Sequence, residues 1–258
     1  MLSQVFVVAK KELIDALRDV RPLVSSLLYC LMGPGLIFMV SLAINGKNGG
    51  SPVLTAMMSI FILVAAFVGG MNVAMDVLAG ERERKSLLPL LMNGVTRRSI
   101  MIGKWLAVSC FSMGALVLNV LGFAFVLSRS GVAATGLGSS VLFLALGLLP
   151  LALFAAAVEL GISTLCRSLK EAHTYLSMLV FLPMALGFFT VFFLNGTKGW
   201  TPFVPLEGQQ WQAEQWIRGG GIQVGSALVL GAATLALTAA ALWISAKLLE
   251  RDEIVYGS

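Results

Sequence analysis

Hydrophobic and polar positions divide the chain into six long apolar runs separated by short polar segments. Each run approaches or exceeds the roughly 20 residues that an α-helix needs to cross a bilayer. The pattern therefore predicts six membrane-spanning helices. Their predicted bounds are 22–44, 53–75, 105–127, 139–162, 175–195 and 223–246.

The first 21 residues have a different pattern. Apolar residues recur there at helical spacing, and charged residues occupy the positions between them. A helix of this kind lies in a membrane interface with its apolar face toward the lipid. We therefore predict an interfacial helix over residues 1–21. Its apolar positions are Leu2, Val5, Phe6, Ala9, Leu13, Ala16, Leu17 and Val20.

Charged residues are densest in the segment from Asp76 to Lys104. Leucines follow the charges directly, and Thr96 suits the N-cap of a new helix after the break at Asn93-Gly94. We predict a short amphipathic helix over 80–95, which a partner protein could push. An ordinary basic loop that obeys topology rules explains the composition equally well. The charged residues are Glu81, Arg82, Glu83, Arg84, Lys85, Arg97, Arg98 and Lys104.

Composition excludes a soluble domain. The 258 residues are 58% hydrophobic and 12% charged, and the mean hydropathy is +0.90. The net charge of +5 reflects topology rather than nucleic-acid binding. With six spans, 14 of the 18 Lys and Arg residues fall on the side of both termini. The positive-inside rule places that side in the cytoplasm, so we expect one all-α domain, residues 1–258, in the cell (inner) membrane.

The sequence lacks the motifs of an enzyme. It contains no phosphate-binding GxxxxGK[ST] loop and no HExxH metal motif. The single histidine, His173, stands at a loop-to-span junction, where an interfacial polar role is the usual one. Cys30, Cys110 and Cys166 have no CxxC pairing and are expected to be membrane-buried thiols. We therefore expect a non-catalytic subunit without a metal or cofactor of its own.

Polar groups inside the predicted spans are candidates for helix contacts or for a substrate pathway. Glu159 is expected to reach the interface and pair with Arg167 or Lys170, and a role in an ion path is the alternative. The remaining candidates are Asn72, Asp76 and Asn119.

Three tryptophans lie in the segment 196–221, between the last two spans. Tryptophans are enriched at headgroup depth, so we expect this segment at the outer membrane surface. They are Trp200, Trp211 and Trp216.

The charged loop resembles that of ATP-binding-cassette exporter permeases of the second type. The similarity rests on Gly80-Glu81-Arg82-Glu83-Arg84, on the leucines after it, on Thr96-Arg97-Arg98 and on Gly103-Lys104. Later stretches are similar to the sodium-efflux (NatB-like) branch: 170–177, 204–209 and 249–253. Lys85-Ser86, Pro89 and Gly94 depart from the family pattern, and so does the short hairpin between the first two spans.

The resemblance implies a permease that works as one of two membrane subunits, a homodimer or a pair of sister chains, with two separate ATPases. ATP and Mg²⁺ would then bind the partner ATPase. Residues 1–21 correspond to the family's connecting helix and 80–95 to its coupling helix. The implied docking residues are Glu81, Arg82, Glu83 and Arg84 for polar contacts, and Leu87, Leu90 and Leu91 for the partner's cleft.

Other functions stay open at this stage. A permease of the same family could export a lipid or glycan, or act mechanically on a membrane assembly. A membrane scaffold that transports nothing is the alternative from another class.

Overall fold

The chain folds as an all-helical bundle in the computed structural model. The structure describes residues 2–43, 52–86, 96–129, 140, 143–193, 201–220 and 223–249. We label the longer helices α1 Leu2–Arg18, α2 Val20–Ala43, α3 Pro52–Ala74, α4 Arg97–Arg129, α5 Leu149–Leu165, α6 Leu169–Phe193, α7 Glu207–Ile217 and α8 Val224–Leu248. Shorter segments are the π-helices Met75–Gly80 and Phe143–Leu148, the turn Glu81–Glu83 and the 3₁₀ turn Thr201–Phe203.

Six helices within the described ranges are long and apolar enough to cross a membrane, which confirms the predicted all-α fold with six spans. Their bounds are Pro22–Ala43, Val53–Glu83, Arg97–Arg129, Phe143–Leu165, Leu169–Phe189 and Val224–Leu248.

The second and third spans are longer than the hydrophobic pattern predicted. The second does not end at 75, because the π-helix Met75–Gly80 and the turn Glu81–Glu83 continue α3. The third begins at Arg97 rather than at 105, and Thr96 Oγ1 accepts a hydrogen bond from the Ser99 amide (3.3 Å) as its N-cap. Helix thus continues past the apolar runs into charged sequence. The first residues of the predicted helix over 80–95 thus continue α3. Residues 87–95 lie outside the described residues, so that helix stays a prediction.

The fifth span also begins earlier than predicted. We expected it to begin at residue 175, but α6 starts at Leu169. Ser168 Oγ accepts the backbone N–H of Glu171 at 3.2 Å, as an N-cap residue does. The sequence signal was present, since Ser168 and Glu171 have the Ser-x-x-Glu spacing of a capping box.

Helices α3 and α5 form the centre of the bundle. About two thirds of the most apolar stretch of α3 is buried, against less than a quarter for α2 and α6. The glycines of α3 allow a close approach to α4: a Cβ atom on Gly69 would overlap Ala115 Cβ and stand 3.2 Å from Ser112 Cα. Because so little of α2 and α6 is buried, these peripheral helices keep large apolar surfaces for lipid or for another chain.

Some apolar residues of the interfacial helix α1 are buried against the bundle, and others are exposed. Val5 and Val8 are buried, and both lie within about 3 Å of the Cβ position of Gly103 on α4. Phe6 and Val7 are more than 60% exposed. Only part of the apolar surface is therefore free to face lipid.

The tryptophan segment contributes to the core. The helix α7 packs against α3, and Trp216 is fully buried. Its ring stacks on Phe143 at 5.4 Å, and its indole N–H donates to Ser140 Oγ at 3.1 Å. Trp216 therefore faces protein rather than lipid, because the ring finds both a stacking partner and a hydrogen-bond acceptor inside the bundle, and its depth in the membrane stays a prediction. Trp200 lies outside the described residues.

We predict that Gly69→Ala destabilises the bundle, because the new methyl group must push α3 away from α4. Overpacking of this kind costs about 1–3 kcal/mol. The measurement is the thermal unfolding midpoint of the detergent-solubilised chain.

The matched control is Gly114→Ala on α4, where an added Cβ would meet no atom within 4 Å. Alanine favours helix over glycine by about 1 kcal/mol, so this control should unfold at an equal or higher temperature. Equal midpoints for Gly69→Ala and wild type would contradict the close contact.

Candidate functional site

A buried lysine joins three helices at the end of the bundle where α3 ends and α4 begins; we call this the charged end. Lys104 on α4 is fully buried, and its Nζ lies 2.9 Å from Glu12 Oε1 on α1 and 2.8 Å from Glu81 Oε2. The same Nζ donates to the Val77 carbonyl at 2.7 Å. Three oxygen atoms thus surround an ammonium group that has three protons to donate. We call Glu12, Val77, Glu81 and Lys104 the charge cluster.

The π-helix makes the Val77 carbonyl available. In an α-helix the amide of residue 81 would bond to the carbonyl of residue 77. Here the Glu81 amide bonds to the Asp76 carbonyl instead, which leaves the Val77 oxygen for Lys104. On the other side of the same segment, the Ala79 amide donates to Ser163 Oγ of α5 at 3.3 Å. The widened turn is therefore held by both α4 and α5.

Lys11 adds a second cation at the edge of the charge cluster. Its Nζ lies 3.3 Å from Glu12 Oε1 and 3.4 Å from Glu81 Oε1. Partial burial lowers the pKa of Lys11, but the charges of Glu12 and Glu81 raise it by more, so the pKa is raised overall. The two lysines and two carboxylates balance in charge.

The other charged residues of the motif also have partners within the chain. Arg82 Nη1 donates to the Cys166 carbonyl at 3.1 Å. Glu83 Oε2 accepts the Leu169 amide at 2.7 Å, at the N-terminus of α6, where negative charge is favourable. Arg84 Nη2 contacts Asp76 Oδ1 at 2.7 Å. The motif therefore ties the end of α3 to α5 and α6.

This arrangement changes the interpretation of the predicted docking residues. Glu81 is buried against Lys104, so its placement does not support a polar contact with a partner protein. Arg82 and Glu83 hold neighbouring helix ends, while the Arg84 side chain is about half exposed. Leu87, Leu90 and Leu91 lie outside the described residues, and their docking role stays a prediction.

Two sequence signals pointed to the charge cluster and were missed. Glu12 follows Val5, Val8 and Ala9 at helical spacing, so a carboxylate shares the buried stripe of α1. Lys104 directly precedes an apolar run, a position where a buried charge requires a partner. Neither signal identified the other residue, because α1 and α4 are about 90 positions apart in the chain.

Two candidate in-membrane residues fix α2 against its neighbours. Asn72 Nδ2 donates to Ser26 Oγ at 2.9 Å and contacts Ser25 Oγ at 3.1 Å. Asn119 Nδ2 donates to the Cys30 carbonyl at 2.7 Å. Both are the helix-to-helix contacts that uncharged polar groups make in membranes.

Glu159 does not reach the interface as we predicted. It is 1% exposed, and neither carboxylate oxygen has a hydrogen-bond partner among the described residues. Arg167 and Lys170 therefore do not pair with it. The reason is the direction of the side chain, which points from α5 toward Gly70 of α3 and Ser112 of α4.

Cys166 also lies at the charged end, and burial raises its pKa to about 11, an effect that Glu171 increases and Arg82 opposes. The thiol is therefore protonated at neutral pH and is a poor nucleophile or metal ligand. Within the described ranges, no group of three or more His, Cys, Asp and Glu side chains is arranged to hold a metal ion.

An open groove of about 570 Å³ lies between α2, α3 and α6. Phenylalanine, tyrosine and methionine make up half of its lining residues, and Asn72, His173 and Ser177 supply polar groups. Such a surface suits a hydrophobic or amphipathic molecule. Its principal apolar residues are Tyr29, Met32, Phe61, Phe181, Met184 and Phe188.

Comparison with known proteins agrees with the fold of six membrane-spanning helices. A family model described as an ABC-2 family transporter protein matches residues 6–210. The chain belongs to the ABC-2 transporter family. Over 154 residues it is 36% identical to the ABC transporter permease protein NatB of Bacillus subtilis (strain 168), a match that covers 55% of this chain and 39% of that protein.

The family confirms the resemblance read from the loop motif and from the later stretches. The chain is an ABC-2 permease and a multi-pass membrane protein. Within an ABC-2 permease, the charge cluster lies beside the segment predicted to contact the ATPase.

We predict that Lys104→Met strongly destabilises the folded chain, because it leaves the buried Glu12 and Glu81 with only the half-exposed Lys11 as a counter-charge. Removing one partner of a buried ion pair costs about 3–5 kcal/mol. The measurement is the thermal unfolding midpoint in detergent.

Lys247→Met is the control, since Lys247 is exposed and lies 3.8 Å from the centroid of the Trp243 ring. It should unfold within a few degrees of wild type. If Lys104→Met unfolded at the wild-type temperature, the charge cluster would not be holding α1 to α4.

Proposed function

We propose that this permease exports a solute with energy supplied by a separate nucleotide-binding ATPase. The observation that best supports this proposal is the charged end. Ion pairs and hydrogen bonds there join five helices, α1, α3, α4, α5 and α6. A force applied there reaches several helices at once. The family membership supports transport as the purpose of that linkage.

In this proposal the segment 87–95 contacts the ATPase. Its leucines Leu87, Leu90 and Leu91 enter an apolar cleft of the partner, and the exposed Arg84 contributes polar contacts. Glu81 does not contact the ATPase in this proposal; it holds the chain just before the segment to Lys104. ATP and Mg²⁺ bind the ATPase, whose closure shifts the joined helices between two discrete arrangements.

Force would pass into the membrane through α3. Its charged end is bonded to α4 through Val77 and to α5 through Ala79, and its other half packs against α7. A displacement of the π-helix would therefore move the central helix of the bundle rather than a peripheral one.

A second permease chain is proposed to cover the groove between α2 and α6. Less than a quarter of the most apolar stretch of each helix is buried in a single chain, and the groove is large enough for a small amphipathic solute. A second copy placed there would enclose a pathway with methionine and aromatic walls. A lipid-like substrate fits these walls better than a bare ion does.

We predict that Leu91→Asp prevents stable association with the ATPase, because a charge would enter an apolar cleft. The partner ATPase should no longer co-purify, and ATP turnover that depends on the permease should fall at least tenfold. Insertion and the thermal unfolding midpoint should not change.

Val132→Asp is the matched control, because it places the same charge in a loop predicted on the opposite membrane side. It should retain the ATPase. Wild-type co-purification by Leu91→Asp would refute the docking segment. Labelling of a cysteine at position 91 from outside the cell would refute the proposed orientation.

We also predict that Phe181→Cys, introduced after the three native cysteines are replaced, forms cross-links between two copies in membranes. Phe181 is 65% exposed on α6 and lines the groove. The measurement is the fraction of dimer after treatment with a short bifunctional thiol reagent.

Leu237→Cys on α8 is the control, being 46% exposed on another peripheral helix. It should remain monomeric under the same treatment. Equal cross-linking of the two variants would indicate random collision, and cross-linking of Leu237→Cys alone would place the second copy at α8.

A further inference from the structure

Glu159 has a carboxyl group in the interior of the bundle and no opposite charge beside it. Both oxygens are buried without a hydrogen-bond partner among the described residues. An ionised carboxylate without a partner is too costly in such surroundings, and the group becomes neutral instead. Something must therefore neutralise Glu159.

Ser112 supplies a second unpartnered group at the same place. A Cβ atom on Gly70 would overlap Ser112 Oγ and stand 2.7 Å from Glu159 Oε2. Both side chains therefore border the space that Gly70 leaves open, although no hydrogen bond joins them in the structure. Ser112 Oγ is buried and also has no hydrogen-bond partner among the described residues.

The unused hydroxyl of Ser112 is unlike other buried hydroxyls of this chain. Those of Ser109, Thr164, Thr234, Thr238 and Ser245 each donate to the carbonyl four residues earlier in their own helix. Ser112 does not make that bond and is available to a neighbour. Glu159 is the neighbour that has hydrogen-bonding capacity to spare.

The charged groups nearest Glu159 on the neighbouring helices are already engaged. On α8, which packs against α5, Lys247 lies over the Trp243 ring. Along α3 the nearest to Gly70 is Asp76, which pairs with Arg84. Along α4 the nearest to Ser112 is Lys104, which is held in the charge cluster. Cys110 is exposed, and the described part of α5 carries no charged residue besides Glu159.

We propose that Glu159 is a proton-binding site, in which the carboxyl group is protonated and turns to donate a hydrogen bond to the neighbouring Ser112 hydroxyl of α4. The proton comes from water, and one O–H bond forms on the carboxylate. A proton suits the space better than a metal ion does. Hard cations such as Ca²⁺ take at least six oxygen ligands, whereas Val108 Cγ1 occupies one side of this site.

The position of the pair links its proton to the arrangement of the helices. Ser163, one helical turn after Glu159, accepts the Ala79 amide from the π-helix of α3. If the proposed ATPase moves that segment, α3 and α5 shift and water reaches Glu159, which then releases its proton. This linkage rests on the proposed function, whereas the proton site itself is tested on the permease alone.

Infrared difference spectroscopy of the purified full chain tests the site. Wild type should show a carbonyl band of a protonated carboxylic acid near neutral pH, and Glu159→Gln should lose it. Ser112→Ala should keep the band at a shifted frequency, while the control Ser109→Ala should leave it in place. A wild-type spectrum without the band, or a Glu159→Gln spectrum that retains it unchanged, would overturn the proposal.

Stability as a function of pH gives an independent readout. The unfolded chain ionises Glu159 in the ordinary acidic range while the folded chain keeps the proton, so wild-type stability falls as the pH rises. Above about pH 5, the folding constant of wild type relative to Glu159→Gln should fall by up to about tenfold per pH unit for as long as the folded chain keeps the proton. Parallel profiles would refute the site.

A test with wild type alone covers the case in which Glu159→Gln fails to fold. Na⁺, K⁺ and a bulky organic cation at equal ionic strength should give the same thermal unfolding midpoint. Stabilisation by one of the metal ions would assign the neutralising group to that cation and overturn the proton site.

Discussion

The arrangement of this permease depends on one buried ammonium group. Lys104 is fully enclosed, and its contacts reach α1 through Glu12 and the end of α3 through Glu81 and the Val77 carbonyl. A buried charge is tolerable only when its partners are complete, so these elements must stay together or separate together. The interfacial helix, the π-helix and the start of the third span consequently behave as one mechanical unit.

The π-helix explains how that unit connects to the membrane core. By shifting the backbone pairing by one residue, it releases the Val77 carbonyl for α4, and its Ala79 amide bonds to α5. π-helical turns are often found at functional sites. We predicted a docking surface at residues 81–84, but these residues form hydrogen bonds and ion pairs between helix ends. A partner that binds beyond Ser86 would act on those contacts.

Polar groups deeper in the bundle divide into two kinds. Asn72 and Asn119 donate to α2 and act as structural contacts. Glu159 and Ser112 have no such partners among the described residues, although they lie against the most closely packed part of α3. An unsatisfied carboxyl group is costly in this environment, which is why we assign it a bound proton rather than a structural role.

The sequence by itself determined the fold class, the six spans and the family, because apolar runs of membrane length and the loop motif are local patterns. It also predicted the Thr96 cap, which depends on residues three positions apart. Only the tertiary structure decided what the charges do. Glu81 contacts Lys104, Glu159 and Ser112 both border Gly70, and Trp216 stacks on Phe143, and each of these arrangements joins residues that are distant in the chain. Hydropathy reports the cost of burying a charge, but only packing shows where its partner lies.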